Sequence, residues 1–174
     1  VEGAAGIEIG DKPYGIPTTD EVRIQSSQEL IDDLTGKPYY IATKMDGTSC
    51  TIYFNNGQVG VCGRNKEYKE TTASGYWKLA HLYKIPEKLT GLGKNIALQG
   101  EYCGEKIQKN RLKLQKPKFF IFNVYDIDTA TYYNYRDFRD IIAHLGLETV
   151  PVEEEGESFN YSLDELLEKA NGKY

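Results

Sequence analysis

Apolar and polar positions alternate most clearly over Ser49–Asn55 (SCTIYFN), where β-branched and aromatic residues mark a strand. The Asn55-Asn56-Gly57 run behind it predicts a hairpin, because Asn-Gly supplies the positive φ angles of a tight turn. Gln58–Cys62 is then the returning strand. Tyr39–Thr43 and Asn95–Tyr102 are also strand-like, and Phe119–Asp128 (FFIFNVYDID) is apolar enough for a central position. Strict alternation puts Phe119, Ile121, Asn123 and Tyr125 on one face of it. Phe120, Phe122, Val124 and Asp126 fall on the other, and Phe120 and Phe122 are assigned to the core. Helical stretches are predicted over Ser26–Leu34, Gly75–Ile85, Arg136–Leu145 and Ser162–Ala170, the last with Ser162 and Glu165 as a capping box. Residues 10–20, dense in Gly, Pro, Thr and Asp, read as an irregular lead-in, and the acids around Glu155 as a loop. Strands meandering between helices indicate an α+β fold of antiparallel β-sheets with flanking helices.

Composition narrows this picture. At 174 residues the chain is one domain's worth, and 40% hydrophobic with 27% charged residues excludes disorder and disulfide-dense miniature folds. No apolar run approaches the roughly 20 residues of a membrane span, so no membrane partner is expected. The opening residues carry acids and lack an apolar core, so no secretory signal is visible. The first residue is Val1 and not Met, which suggests an excerpt. Cys50, Cys62 and Cys103 cannot all pair internally and are read as reduced thiols, placing the protein in the cytoplasm or another reducing intracellular compartment. Without clustered Cys and His, a structural zinc site is not expected.

The net charge of −5 argues by itself against a nucleic-acid partner. The average hides an asymmetry, however. Lys106–Lys118 holds six basic residues and no acid, while Glu148–Glu168 holds eight acids and no base. The basic run is either a solvated loop or a surface for backbone phosphates, which would carry no base-sequence information.

Lys44-Met45-Asp46-Gly47 follows one predicted strand and precedes another. A lysine whose surroundings free its amine is a nucleophile, and a nearby carboxylate can hold a metal or its waters. Taken alone, the tetrapeptide reads equally well as a surface lysine before an Asp-Gly turn. Three further segments follow it in order: Val61-Cys62-Gly63-Arg64-Asn65, Leu98-Gln99-Gly100-Glu101-Tyr102 and Phe122-Asn123-Val124-Tyr125-Asp126-Ile127.

In order and spacing these segments resemble the motifs of the covalent nucleotidyltransferase superfamily of ligases and capping enzymes. Lys44–Thr48 looks like motif I, Gly100-Glu101 like motif III and Val124–Ile127 like motif IIIa. The Arg64-Asn65 pair, with Thr48 and Ser49 after the KMDG, is closer to RNA ligases of the phage type 2 family. Ile16–Gln25 is similar to the segment joining an N-terminal OB domain to the catalytic domain in the Deinococcus-type branch. On this resemblance, residues 1–20 are a linker from an upstream OB domain and residues 21–174 a nucleotidyltransferase (adenylation) domain, incomplete at its C-terminus. Motif IV and the lysines of motif V have no counterpart; Glu155-Gly156 is rejected for motif IV because it is read as loop.

The resemblance also implies roles. Lys44 takes AMP as a phosphoramidate; Thr43, Arg64, Glu101 and Tyr125 bind the nucleotide, with Tyr125 stacking on adenine; Arg23 reaches a phosphate. Asp46 and Glu101 hold a metal, Mg²⁺ or Mn²⁺, through water. Lys106, Lys109, Arg111 and Lys113 contact RNA. The implied activity is an ATP-dependent RNA ligase, expected as a monomer, sealing 3′-hydroxyl and 5′-phosphate ends in nicked duplexes or broken RNA. A chain lacking motifs IV and V is expected to seal weakly or not at all. A DNA ligase or GTP-dependent capping enzyme stays open within the superfamily, and a non-catalytic nucleotide- or RNA-binding module outside it.

Overall fold

A computed structural model describes residues 6–172; Val1–Ala5 and Lys173–Tyr174, on which part of the reading of both chain ends falls, lie outside the described residues. The elements run β1 (Glu8–Asp11), a 3-10 turn at Ile24–Ser26, α1 (Gln28–Leu34), β2 (Tyr39–Ala42), β3 (Thr48–Asn55), β4 (Gln58–Cys62) and β5 (Lys66–Tyr68). Then come α2 (Gly75–Leu82), α3 (Ile85–Leu92), β6 (Ile96–Cys103) and β7 (Lys118–Asp126). The chain finishes with β8 (Thr131–Tyr132), α4 (Tyr135–His144), β9 (Glu148–Thr149), β10 (Val152–Gly156) and α5 (Leu163–Ala170). This is the α+β architecture of antiparallel sheets and flanking helices that the sequence pattern implies.

The chain divides into two compact units, one of residues 1–19 and 45–150 and one of residues 20–44 and 151–174. The first is built on an eight-stranded sheet ordered β1-β5-β4-β3-β6-β7-β8, with β9 parallel to β7. The predicted hairpin is present: Asn55 pairs with Gln58, and Asn56 and Gly57 take φ of 49° and 85°. One face of the sheet is covered by α2, α3 and α4, whose Trp77, Leu79, Ile85, Leu89, Phe138 and Ile142 pack with Cys50, Ile52, Leu98, Phe119, Ile121 and Val124. The other face carries Tyr125 and Ala97 under Ile16.

Several expectations are corrected. The single helix predicted over Gly75–Ile85 is two, because Lys84 is left-handed (φ 54°) and Pro86 sits in the first turn of a second helix. Gly10 and Asp11 belong to an edge strand paired with β5, not to an irregular lead-in. Glu155 and Gly156 are strand, not loop: β10 pairs antiparallel with β2 across Glu155–Tyr40 and Gly156–Tyr39. Alternation along β7 is interrupted as well. Gln99 pairs with Asn123 but Gly100 with Ile121, so Phe122 is an extra, bulged residue. The bulge sends Val124 to the helix-covered face with Phe119 and Ile121, and Tyr125 to the opposite one. Phe122 is only half-buried, and Phe120 is buried outside that core.

The second unit is a ribbon of β2 and β10 with α1 and α5. Tyr39, Phe159 and Tyr161 meet edge to face, with centroids 5.3 to 6.0 Å apart. Glu154 lies among them, accepting from the Tyr39 hydroxyl at 2.6 Å, from Tyr161 and from Lys169 Nζ at 2.8 Å. These donors hold its carboxyl down at about 2, Lys169 contributing most, and the same carboxylate raises the Tyr39 phenol. The predicted capping box of α5 is formed by Ser162 and Glu165.

Candidate functional site

Within the large unit, the turn before β3 is tied to the end of β6. The Gly47 N–H donates to Glu101 Oε1 at 3.2 Å. Only glycine fits there: a Cβ would lie 2.3 Å from the Tyr102 carbonyl oxygen and 2.8 Å from Cys103 Sγ. Asp46, the preceding residue, pairs through Oδ2 with Arg111 Nε at 3.3 Å. Burial pushes the Cys103 thiol up to about 11, with the charges of Glu101 and Asp46 adding to the shift. Both carboxylates therefore act on one neighbourhood.

Burial also pushes the Cys62 thiol up to about 12 and the Cys50 thiol well above its ordinary value. All three cysteines are free and buried. Held neutral, they are packing groups and poor nucleophiles.

Pairing register places the remaining candidates of this unit. Ser49 opposes Glu101, Thr51 opposes Gln99 and Tyr53 opposes Ala97 across β3 and β6, while Tyr125 opposes Ala97 across β6 and β7. Glu101 and Tyr125 thus share the face away from the helices. Four residues of strand separate Glu101 from Ala97, about 13 Å. Tyr125 is 8% exposed and meets the Tyr132 ring edge-on at 5.1 Å. Between these positions Thr51 and Gln99 are fully buried. The Gln99 amide donates to the Pro17 carbonyl at 2.8 Å, and Gln99 Oε1 and Thr51 Oγ1 are, among the described residues, the buried side-chain atoms left unsatisfied. Arg64 is exposed in the turn from β4 to β5, which is closed by Gly63 N–H donating to the Lys66 carbonyl at 2.9 Å.

Arg23, Thr43 and Lys44 belong to the second unit. Arg23 is exposed and caps the 3-10 turn with its carbonyl, which accepts from Ser26 N–H at 3.0 Å. The Thr43 hydroxyl donates to Glu153, and its N–H to the Pro151 carbonyl at 2.9 Å. Lys44 is exposed, two residues past the end of β2.

Of the basic run, Lys106, Lys109 and Lys113 are exposed on the loop between β6 and β7. Lys118 is in β7, paired with Glu148 at 3.3 Å. Sequence reasoning grouped Arg111 with the RNA contacts and Asp46 with the metal; the fold puts them together. It also missed Tyr132, which register against Tyr125 alone would have flagged once the Asp126–Thr131 turn was seen as a hairpin. A groove lined by Asp126, Tyr132, Asp137 and His144 includes none of the candidate residues.

Two carboxylates, both part-exposed, fit a divalent cation that keeps most of its water. No cluster of three acidic, His or Cys side chains suited to direct ligation exists among the described residues. None of their helices is long and apolar enough to cross a membrane.

Comparison with known proteins bears on this arrangement. The structure superposes on Naegleria gruberi RNA ligase with pyrophosphate at a TM-score of 0.91 and 34% identity, covering 97% of this chain and 51% of that one. A variant of the same ligase with ATP and Mn gives 0.89 and 34%, covering 93% and 50%. One with AMP and Mn gives 0.89 and 34%, covering 93% and 49%. The chain thus spans about half the length of these relatives. No curated protein matches it. The family model for RNA ligase matches residues 37–173, and the chain belongs to the RNA ligase family.

Proposed function

We propose that the chain is the adenylating part of an ATP-dependent RNA ligase of the Deinococcus-type branch, with Lys44 as the nucleophile. One correspondence carries this conclusion. Variants of the Naegleria ligase replace a lysine, an arginine 21 residues before it and a glutamate 57 residues after it. Arg23 and Glu101 stand at those same separations from Lys44. That ligase was solved with ATP and Mn, which supports ATP and a divalent metal here.

In the first step the Lys44 amine attacks the α-phosphorus of ATP. A P–N bond forms, the bond to the β-phosphate oxygen breaks, and pyrophosphate leaves. Asp46 and Glu101 would hold Mg²⁺ or Mn²⁺ through water, and the metal would offset charge developing on the phosphates. Tyr125 supplies the ring for adenine, Thr43 lines the base, Arg64 offers a planar set of donors to ribose or phosphate, and Arg23 meets a phosphate. Positioning and electrostatics supply most of the catalysis. AMP then passes from Lys44 to an RNA 5′-phosphate, and a 3′-hydroxyl displaces it to seal the strand. The partner is RNA, as a nicked duplex or broken ends, bound in part by Lys106, Lys109, Arg111 and Lys113. The enzyme acts as a monomer in a reducing intracellular compartment, downstream of an OB domain.

Other variants of the Naegleria ligase replace a glutamate 142 and a lysine 156 residues after the same lysine. At equal spacing those positions fall past Tyr174. Residues 1–174 alone should therefore label weakly and not seal. The test is mass spectrometry of the full-length parent after exposure to ATP and Mn²⁺. One added AMP is expected, lost in Lys44→Ala; a label that survives the substitution removes the proposal. Equal labelling by competing GTP would favour a capping enzyme, and no label with intact nucleotide binding a non-catalytic module.

A further inference from the structure

The loop between β6 and β7 is braced. Three successive turns build it: Ile107 N–H donates to the Gly104 carbonyl at 3.0 Å, Asn110 to Ile107 at 3.2 Å and Lys113 to Asn110 at 2.9 Å. The Asn110 side chain locks the far end, accepting from Leu114 N–H at 3.0 Å and donating to the Leu114 carbonyl at 3.2 Å. Gln108, Asn110 and Lys113 adopt positive φ of 50°, 42° and 51°, which brings the run round tightly. Arg111 is therefore projected from a defined backbone, and its guanidinium meets Asp46 Oδ2 at 3.3 Å. Lys106, Lys109, Lys113 and Lys116 on the same loop face solvent.

We propose that Arg111 is a positioning residue that occupies Asp46 until an RNA phosphate draws it away, so that RNA on the basic loop and divalent metal at Asp46 bind cooperatively. This rests on the assignment of Asp46 to the metal in the proposed function. A guanidinium suits carboxylate and phosphate equally, because its planar donors fit either anion. A guanidinium and a hydrated dication at one carboxylate repel each other, so the two occupancies compete. The pair is half-exposed, with side chains 53% and 34% accessible, and pairs of that kind are weak enough to exchange. Linkage makes the effect reciprocal: the factor by which RNA tightens the metal is the factor by which the metal tightens RNA.

The test uses Mn²⁺ alone as the probe, without ATP, followed by the electron paramagnetic resonance signal of the free ion. Arg111→Ala should bind Mn²⁺ about two- to fivefold more tightly than wild type. Lys116→Ala removes the same charge from the same loop and leaves the Arg111–Asp46 pair in place; its affinity should match wild type. In an Asp46→Asn background the gain from Arg111→Ala should vanish. In a separate arm, the ¹⁵N-labelled Arg111 Nε–H resonance should shift when a 5′-phosphorylated nicked RNA duplex is added to the metal-free protein. Unchanged Mn²⁺ affinity in Arg111→Ala, an equal gain in Lys116→Ala, or an unmoved resonance would each overturn the proposal. Failure of the ligase assignment would show separately, as absence of AMP on Lys44 in all these proteins.

Discussion

In the large sheet Ile52, Leu98 and Ile121 are completely buried beneath helices, whereas the ribbon of β2 and β10 gathers two phenols and an ammonium around Glu154. Of the two helices of the ribbon unit, α5 has no buried residue and α1 buries Ile31 alone. One region is held by apolar area removed from water, the other by edge-to-face rings and one carboxylate with three donors. Apolar burial responds little to pH or salt, while a carboxylate held by donors titrates. The candidate residues divide the same way: Asp46, Arg64, Glu101 and Tyr125 belong to the first kind of scaffold, and Arg23, Thr43 and Lys44 to the second.

The largest expected effect sharpens that contrast. Ile121→Ala leaves a cavity in the helix-covered core and should cost about 2–5 kcal/mol, measured by urea unfolding. Hydrogen exchange should accelerate through β3, β6 and β7; an equal acceleration in β2 would break the distinction between the units. Gly47→Ala comes next, because its Cβ would press on the Tyr102 carbonyl. A loss of about 1–3 kcal/mol is expected, together with a loss of AMP labelling, read from the same melt and from mass spectrometry. A variant as stable and as active as wild type would show that the turn can move.

The smallest effect is the most diagnostic. The Glu154 carboxyl sits at about 2 in the folded protein against an ordinary 4.5. A depressed folded value means that its stabilisation is complete above the ordinary value and fades as pH falls toward 2. Glu154→Gln should lower the Tm by about 2–4 °C at neutral pH, and the gap to wild type should close as the pH is lowered through that window. A gap independent of pH would assign the cluster's strength to its rings.

How much of this was legible in the chain follows from range. The Asn56-Gly57 hairpin, the Ser162 capping box and the bounds of β4 are local, and the pattern gave them directly. The break at Lys84 had a local signal too, Pro86, outweighed by the continuous apolar spacing around it. The acids of β10 looked like loop because Glu153, Glu154 and Glu155 are all charged, so the half-buried face of Glu154 has no apolar residue to mark it, and only pairing with β2 reveals the strand. The bulge at Phe122 arises from register with β6 and leaves no mark in the sequence, so the faces of β7 were misassigned past it. Among the candidate residues, motif order nominated Lys44, Asp46, Glu101 and Tyr125, but no motif could join Arg111 to Asp46 across the intervening strands.

The ribbon has a consequence for synthesis. Tyr39 and the Glu154 that accepts its hydrogen bond are 115 residues apart in the chain. At translation rates of about 5–20 residues per second, β2 leaves the ribosome roughly 6–23 seconds before its partner strand has been made. Throughout that interval every strand of the large sheet except β1 is being added while the backbone donors and acceptors of Tyr39–Ala42 have no β10 to meet. A nascent chain stalled before Val152 therefore presents an open strand edge just upstream of Lys44, the kind of surface that chaperones cover and that neighbouring nascent chains can pair with.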